Sequence, residues 1–193
     1  MAETSISLRA LALIGSLKPS PAPSSSALIA EHVFETLRAQ GMVCDSVRCV
    51  DFDIAPGGVE ADMGGGDQWP QIRDKVLDAD ILLVSTPPVW LGHPSSITQR
   101  ILERLDAELS NKDSQGRPAM AGKVAIVSVV GNEDGAHKTV ADVFQGLNDI
   151  GFSIPPAQGC TYWNGAAMES TDYTDLDEVP EAVASATAAA ARN

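Results

Sequence analysis

The chain has 193 residues, with 13 Lys and Arg against 26 Asp and Glu, giving a net charge of −13. That length suits one domain with a full core, spanning 1–193, and that charge repels a phosphate backbone and so argues against nucleic acid as a partner. A hydrophobic fraction of 44% is ordinary for a globular protein, no run approaches the roughly 18 apolar residues of a membrane span, and Met1 to Ser7 do not read as a secretory signal, so a cytoplasmic protein is expected.

The first strand is read at Leu8 to Ser16, a nearly continuous apolar run ending on Gly15 and Ser16, the pattern of a strand buried on both faces. A Pro/Ser stretch follows. ALIAEHVFETLRAQG then places Leu28, Ile29, Val33, Phe34 and Leu37 at helical spacing, with Gly41 as the stop. Met42 to Val50 alternates loosely and reads as a second strand. DFDIAPGGVEADMGGGDQ is too rich in Gly and Asp to be regular, which predicts an irregular loop with room to move. WPQIRDKVLDA offers Ile72, Val76 and Leu77 as a helical face, and DILLVSTPP from Asp80 is the strongest strand signal in the chain. Ser95 to Glu108 reads as a long helix opened by Pro94 at its first turn. Val124 to Val130 reads as a buried strand, Thr139 to Ile150 as a helix, and FSIPP from Phe152 as a short last strand. From about 166 the tail is acidic and then Ala-rich, with Pro180 opening a final helix.

Strands alternating with helices imply a parallel sheet, right-handed crossovers and helices on both faces. In such a sheet, ligands sit beyond the carboxyl ends of the strands at the topological switch point. Three loops therefore carry the candidate chemistry. GSLKPSPAPSSS holds Ser16, Lys18, Ser24, Ser25 and Ser26 at the start of a helix, where amides and hydroxyls can wrap a phosphate; it reads equally as a turn with an ordinary serine cap. STPPVWLGHPSS presents Pro88, Val89, Trp90, Leu91 and Gly92, and Trp90 suits either a flat aromatic ligand or closure of the core. VVGNEDGAHK presents Gly131, Asn132, Glu133, Asp134 and Gly135, whose amides can face a ring system or merely cap the next helix. His137 has a near-neutral reference pKa, but a lone loop histidine is more often solvated than catalytic. Cys44, Cys49 and Cys160 lack CxxC spacing and are odd in number, which argues against disulfides; three thiols also fall short of the roughly four that an iron–sulfur cluster needs.

Taken in order, these loops resemble those of the NADPH-dependent FMN reductase branch of the flavodoxin-like superfamily, over roughly Leu8 to Gly165. GSLKPSPAPSSS is similar to that family's phosphate loop, STPPVWLGHPSSITQRILERLD to its TP-(aromatic)-G-x-P-S flavin loop running into a helix, and GNEDGAHKTVADVFQGLNDIGFSIPP to its second flavin loop, in the same order. The family often has Asn-Thr where this chain has Ser25-Ser26. The resemblance implies a three-layer α/β/α sandwich on a five-stranded parallel sheet of order 2-1-3-4-5, with FMN as cofactor and NAD(P)H as co-substrate. Ser16, Lys18 and Ser24 to Ser26 would hold the phosphate; Pro88 to Gly92 and Gly131 to Gly135 would flank the isoalloxazine. Trp163, in TYWNG, would either cover the ring or fill the core. Hydride would pass from nicotinamide to flavin N5 and on to a quinone, flavin or other small acceptor, with no protein general acid and no metal. Pairing as a homodimer or homotetramer is also implied. The alternative is a flavodoxin-type one-electron carrier, whose docking to basic partners the net charge would suit.

Overall fold

The structure, a computed structural model, describes residues 7–165 and 171–193. Most of the N-terminal segment and the start of the acidic tail therefore lie outside the described residues.

β1 (Arg9–Ile14), β2 (Val43–Arg48), β3 (Ile81–Thr86), β6 (Val124–Val130) and β7 (Cys160–Trp163) form one parallel sheet in the order β2-β1-β3-β6-β7, which is 2-1-3-4-5 among the sheet strands. A separate two-stranded antiparallel ribbon joins β4 (Pro88–Val89) to β5 (His93–Pro94). The alternation of side chains along each strand divides the core in two. Leu11, Leu13, Val84, Val127 and Val129 pack with Ile72 and Val76 of α2 (Trp69–Asp78), Ile101 and Leu105 of α3 (Ser96–Leu105), and Val143 and Leu147 of α4 (Ala136–Asp149). On the other face Ala10, Ala12, Ile14, Leu83 and Ile126 pack with Val33, Phe34 and Leu37 of α1 (Ser25–Ala39) and with Ala190 and Ala191 of α5 (Glu181–Arg192). The result is the three-layer sandwich that the alternating pattern implies, in the flavodoxin-like strand order that the resemblance implies.

Four local readings need correction. The fifth strand is not FSIPP: Ser153 makes one isolated bridge to Val124, and pairing resumes only at Cys160. Pro155 and Pro156 have no N–H to give to a ladder, which displaces the strand to CTYW. Pro94 does not open α3; it pairs with Pro88 in the ribbon, and Ser95 is the cap, accepting from the Thr98 amide at 3.1 Å. α3 ends at Leu105 and tightens into a 3-10 turn over Asp106–Ser110. α4 starts three residues earlier than read, so His137 lies in its first turn rather than in a loop.

The segment after β2 is irregular, as its composition predicts, but it is tied down rather than loose. Arg104, wholly buried on α3, pairs with the equally buried Asp67 at 2.8 Å and donates to the carbonyls of Ala55, Glu60 and Ala61. Burial alone would raise the Asp67 carboxyl, but the amides of Met63, Trp69 and Ala55 and the charge of Arg104 outweigh it and hold it below the ordinary carboxylate value. Among the described residues no helix is long and apolar enough to cross a membrane. The three cysteines are unbonded, and burial pushes each thiol up, Cys49 to about 12.

Candidate flavin site

The carboxyl ends of β1 and β3 are pinned together by hydroxyls. Gly15 donates its amide to the Ser85 carbonyl at 2.7 Å, Ser95 Oγ donates to the Gly15 carbonyl at 2.6 Å, and the Ser95 amide donates to Thr86 Oγ1 at 3.1 Å. A Cβ on Gly15 would lie 1.8 Å from Thr98 Oγ1, so only glycine lets α3 approach this closely.

From Gly15 the chain runs through the Ser-rich loop into α1. Ser24 caps the helix, accepting from the Ala27 amide at 3.2 Å, and Ser85 Oγ donates to the Ser26 carbonyl at 2.7 Å, fixing the first turn against β3. The amides of Ser25 and Ser26 then have no partner within the helix and carry its partial positive charge. Lys18 is exposed beside them, while Ser16 is buried, its hydroxyl accepting from the Lys18 amide at 3.3 Å. The edge strand and the turn after it brace the loop from outside: Arg48, at the end of β2, donates to the Ala22 carbonyl at 2.7 Å, and Asp51, in the following 3-10 turn, accepts from the Ser20 amide at 2.8 Å.

The second and third loops meet through glycines. A Cβ on Gly131 would stand 2.8 Å from Pro88 Cδ, and one on Gly135, where φ is +97°, would stand 2.4 Å from Gly92 Cα. Backbone therefore lies directly on backbone, and Gly92 and Gly135 serve to join the loops. At the ribbon's tip Trp90 and Leu91 adopt φ of +44° and +64° and are 75% and 76% exposed. Trp90 thus does not close the core. Trp163 does, being 7% exposed and packed against Tyr173 at 5.6 Å between ring centroids. His137 is exposed and meets Tyr162 edge-on at 4.8 Å.

Between the loops lies a cleft of about 500 Å³, a size suited to a cofactor. Of the residues singled out in the sequence, Ser16, Lys18, Ser24, Ser25, Ser26, Pro88, Val89, Gly131, Asn132 and Glu133 line it. Trp90, Leu91, Gly92, Asp134 and Gly135 lie outside its lining, at the lip and the loop junction. The sequence reading missed Leu17, Pro23, Pro87 and Val130 and, more tellingly, Asp172, Thr174 and Asp175, which reach the cleft from the tail. Tyr173 between them is buried at 2% exposure, its hydroxyl 2.9 Å from His32 Nδ1 on α1, and Asn132 Nδ2 donates to Asp172 Oδ1 at 2.6 Å. The one signal for this segment was a lone aromatic in an acidic run.

The cleft suits FMN on its own chemistry. One end has helix amides, hydroxyls and a lysine for a dianionic phosphate. The other is lined by Pro87, Pro88, Val89 and Gly131.

The NADPH-dependent FMN reductase family matches residues 8–165, and the chain belongs to that family. That family is described as NADPH-dependent FMN reductases, which supports FMN as the cofactor and flavin-dependent oxidoreduction as the class of chemistry. The chain is 31% identical over 179 residues to 8-demethyl-8-aminoriboflavin-5'-phosphate synthase from Streptomyces davaonensis, covering 88% of this chain and 68% of that one. It is 37% identical over 172 residues to a protein from Mycobacterium bovis named divalent metal cation transporter MntH, covering 87% of this chain but only 25% of that longer protein. Among solved structures, RosB with bound 8-demethyl-8-formylriboflavin-5'-phosphate superposes with a TM-score of 0.84 at 28% identity, over 97% of this chain and 77% of that one. An apo NADH:FMN oxidoreductase shares the fold with a TM-score of 0.67 at 18% identity, over 96% of this chain and 89% of that one.

Proposed function

We propose that the chain is an NAD(P)H:acceptor oxidoreductase that holds FMN in the cleft at the carboxyl edge of its sheet and serves a small acceptor such as a quinone or a flavin. The observation that carries this reading is the convergence of three βα loops on one cleft with the start of α1 at one end and Pro87, Pro88, Val89 and Gly131 at the other. FMN supplies the electron-transfer chemistry when bound.

The protein's part is binding and orientation. The amides of Ser25 and Ser26, with Lys18, bind the phosphate, and Ser85 and Ser24 keep that turn rigid. Pro87 to Val89 and Gly131 to Glu133 flank the ring, where backbone amides of the third loop offer donors to the N1–O2 edge. Trp90 stands at the lip, where its exposed ring shapes the approach of nicotinamide. No general acid is assigned, because His137 lies outside the cleft lining. The exposed Trp90 and Leu91 also favour a second copy of the chain as the outer wall, which light scattering on the FMN-loaded protein tests.

Anaerobic mixing of FMN-loaded protein with NADPH and with NADH separates the readings. Bleaching of the flavin band at a rate that matches steady-state turnover supports the oxidoreductase. A flavin that stays oxidised with both nucleotides, yet accepts electrons from a reduced protein partner, points to a carrier, to which the net charge of −13 would lend docking sites.

A further inference from the structure

The segment Asp172 to Asp175 lies beyond the residues that match the family, yet it supplies part of the cleft wall. It is built in from both sides. Tyr173 is its plug, buried against Trp163 and hydrogen-bonded to His32 of α1, and burial pushes its phenol up to about 12, so it stays protonated and neutral. Asn132 ties Asp172 to the third loop, and the Asp175 amide closes a turn on the Asp172 carbonyl at 2.9 Å. The segment thus bridges α1, whose first turn forms one end of the cleft, and the Gly131 loop, which forms the other.

Its chemistry differs from that of the phosphate end. An ionised carboxylate only accepts hydrogen bonds, and a phosphate near neutral pH offers mainly acceptors of the same charge, so Asp172 and Asp175 do not bind the phosphate. Of a flavin's parts, the ribityl hydroxyls are donors that match carboxylate oxygens, and a threonine hydroxyl can either donate to them or accept from them. The ribityl chain is also what connects the ring to the phosphate.

We propose that Asp172, Thr174 and Asp175 form a polyol-reading wall that binds the ribityl chain and makes the cleft select ribityl flavins over flavins that lack it. This rests on the flavin reading above. The wall adds selection along the middle of the ligand, independent of the phosphate loop.

The test is equilibrium titration of the apoprotein with FMN, riboflavin and lumiflavin, the last having the ring but no ribityl chain, followed by flavin fluorescence. Riboflavin is expected to bind at least about tenfold tighter than lumiflavin, the size of one or more charge-assisted hydrogen bonds. Asp172→Ala is expected to reduce that ratio by about tenfold and Thr174→Val, which preserves shape, by several-fold, while both leave the FMN-to-riboflavin ratio unchanged. Equal binding of riboflavin and lumiflavin by the parent protein, or an undiminished ratio in both variants, overturns this inference alone. Failure of all three flavins to bind overturns the flavin reading and this inference with it.

Discussion

Replacing Gly135 by alanine tests the junction that sets the walls of the cleft. Two costs are legible in the structure. Gly135 has a φ of +97°, and a Cβ there would sit 2.4 Å from Gly92 Cα and 2.8 Å from its amide nitrogen, so no rotamer change relieves the overlap. The left-handed backbone costs an L-residue about 1–2 kcal/mol. Overpacking against backbone adds about 1–3 kcal/mol. The sum, about 2–5 kcal/mol, corresponds to a fall in Tm of roughly 6–15 °C for a domain of this size. Gly122 is the internal control: its φ is +89°, but a Cβ there would meet nothing within 4 Å. Gly122→Ala carries the backbone cost alone, about 3–6 °C by the same conversion, and the altered unfolded-state entropy is common to both variants and cancels. Differential scanning calorimetry of the two variants, with FMN titration of each, measures the contact directly. Gly135→Ala is expected to melt lower than Gly122→Ala and to bind FMN more weakly, because the second and third loops are forced apart. Equal melting temperatures, with FMN binding unchanged, would refute the argument that these loops are held together backbone to backbone.

Ser25→Asp puts a carboxylate at the start of α1, which favours the helix dipole while repelling a phosphate, so FMN affinity is expected to fall about tenfold or more with the apoprotein's Tm unchanged or slightly raised; isothermal calorimetry and circular dichroism on one sample check both signs. Trp90→Gly removes a 75% exposed side chain from a left-handed position, so the apoprotein is expected to melt no lower than the parent while FMN binding weakens by up to about tenfold. A Tm loss of several degrees would instead place Trp90 in the core. Asp67→Asn leaves the buried Arg104 without its counter-charge and is expected to cost about 3–5 kcal/mol in urea denaturation at neutral pH. Because the folded Asp67 titrates below its unfolded value, the stability it contributes is full above about pH 4 and is lost as pH falls through the lower folded value. The gap between parent and Asp67→Asn should therefore narrow on acidification, and a constant gap would contradict the pairing.

The layers of the sandwich were legible in the sequence because local pattern and burial coincide: Ala10 to Ile14 and Leu82 to Val84 are continuous apolar runs, Ala125 to Val130 is broken only by Ser128, and each is a buried central strand. The last strand was not legible. Cys160 to Trp163 is only four residues long and its Tyr162 faces out, while FSIPP carries a stronger apolar signal that two prolines then prevent from pairing. Loop order located the cleft, since the ends of β1, β3 and β6 necessarily share one edge of a parallel sheet. Which residues of each loop face inward depended on contacts between loops, such as Gly92 on Gly135, which no local pattern reports. The same holds for Asp172 to Asp175, which reach the cleft from the tail, and for Arg48 and Asp51, which brace the Ser-rich loop from the end of β2 and the turn after it.

The central claim, that this cleft holds a flavin by its phosphate at the start of α1, is tested most directly by the difference in affinity between FMN and riboflavin. Titration of the apoprotein with each, read by quenching of flavin fluorescence, is expected to saturate at one flavin per chain with FMN at least about tenfold tighter, the size of one or more charge-assisted hydrogen bonds. That advantage should vanish in Ser25→Asp. Equal affinity for the two flavins in the parent protein, or an FMN preference that survives Ser25→Asp, would contradict it.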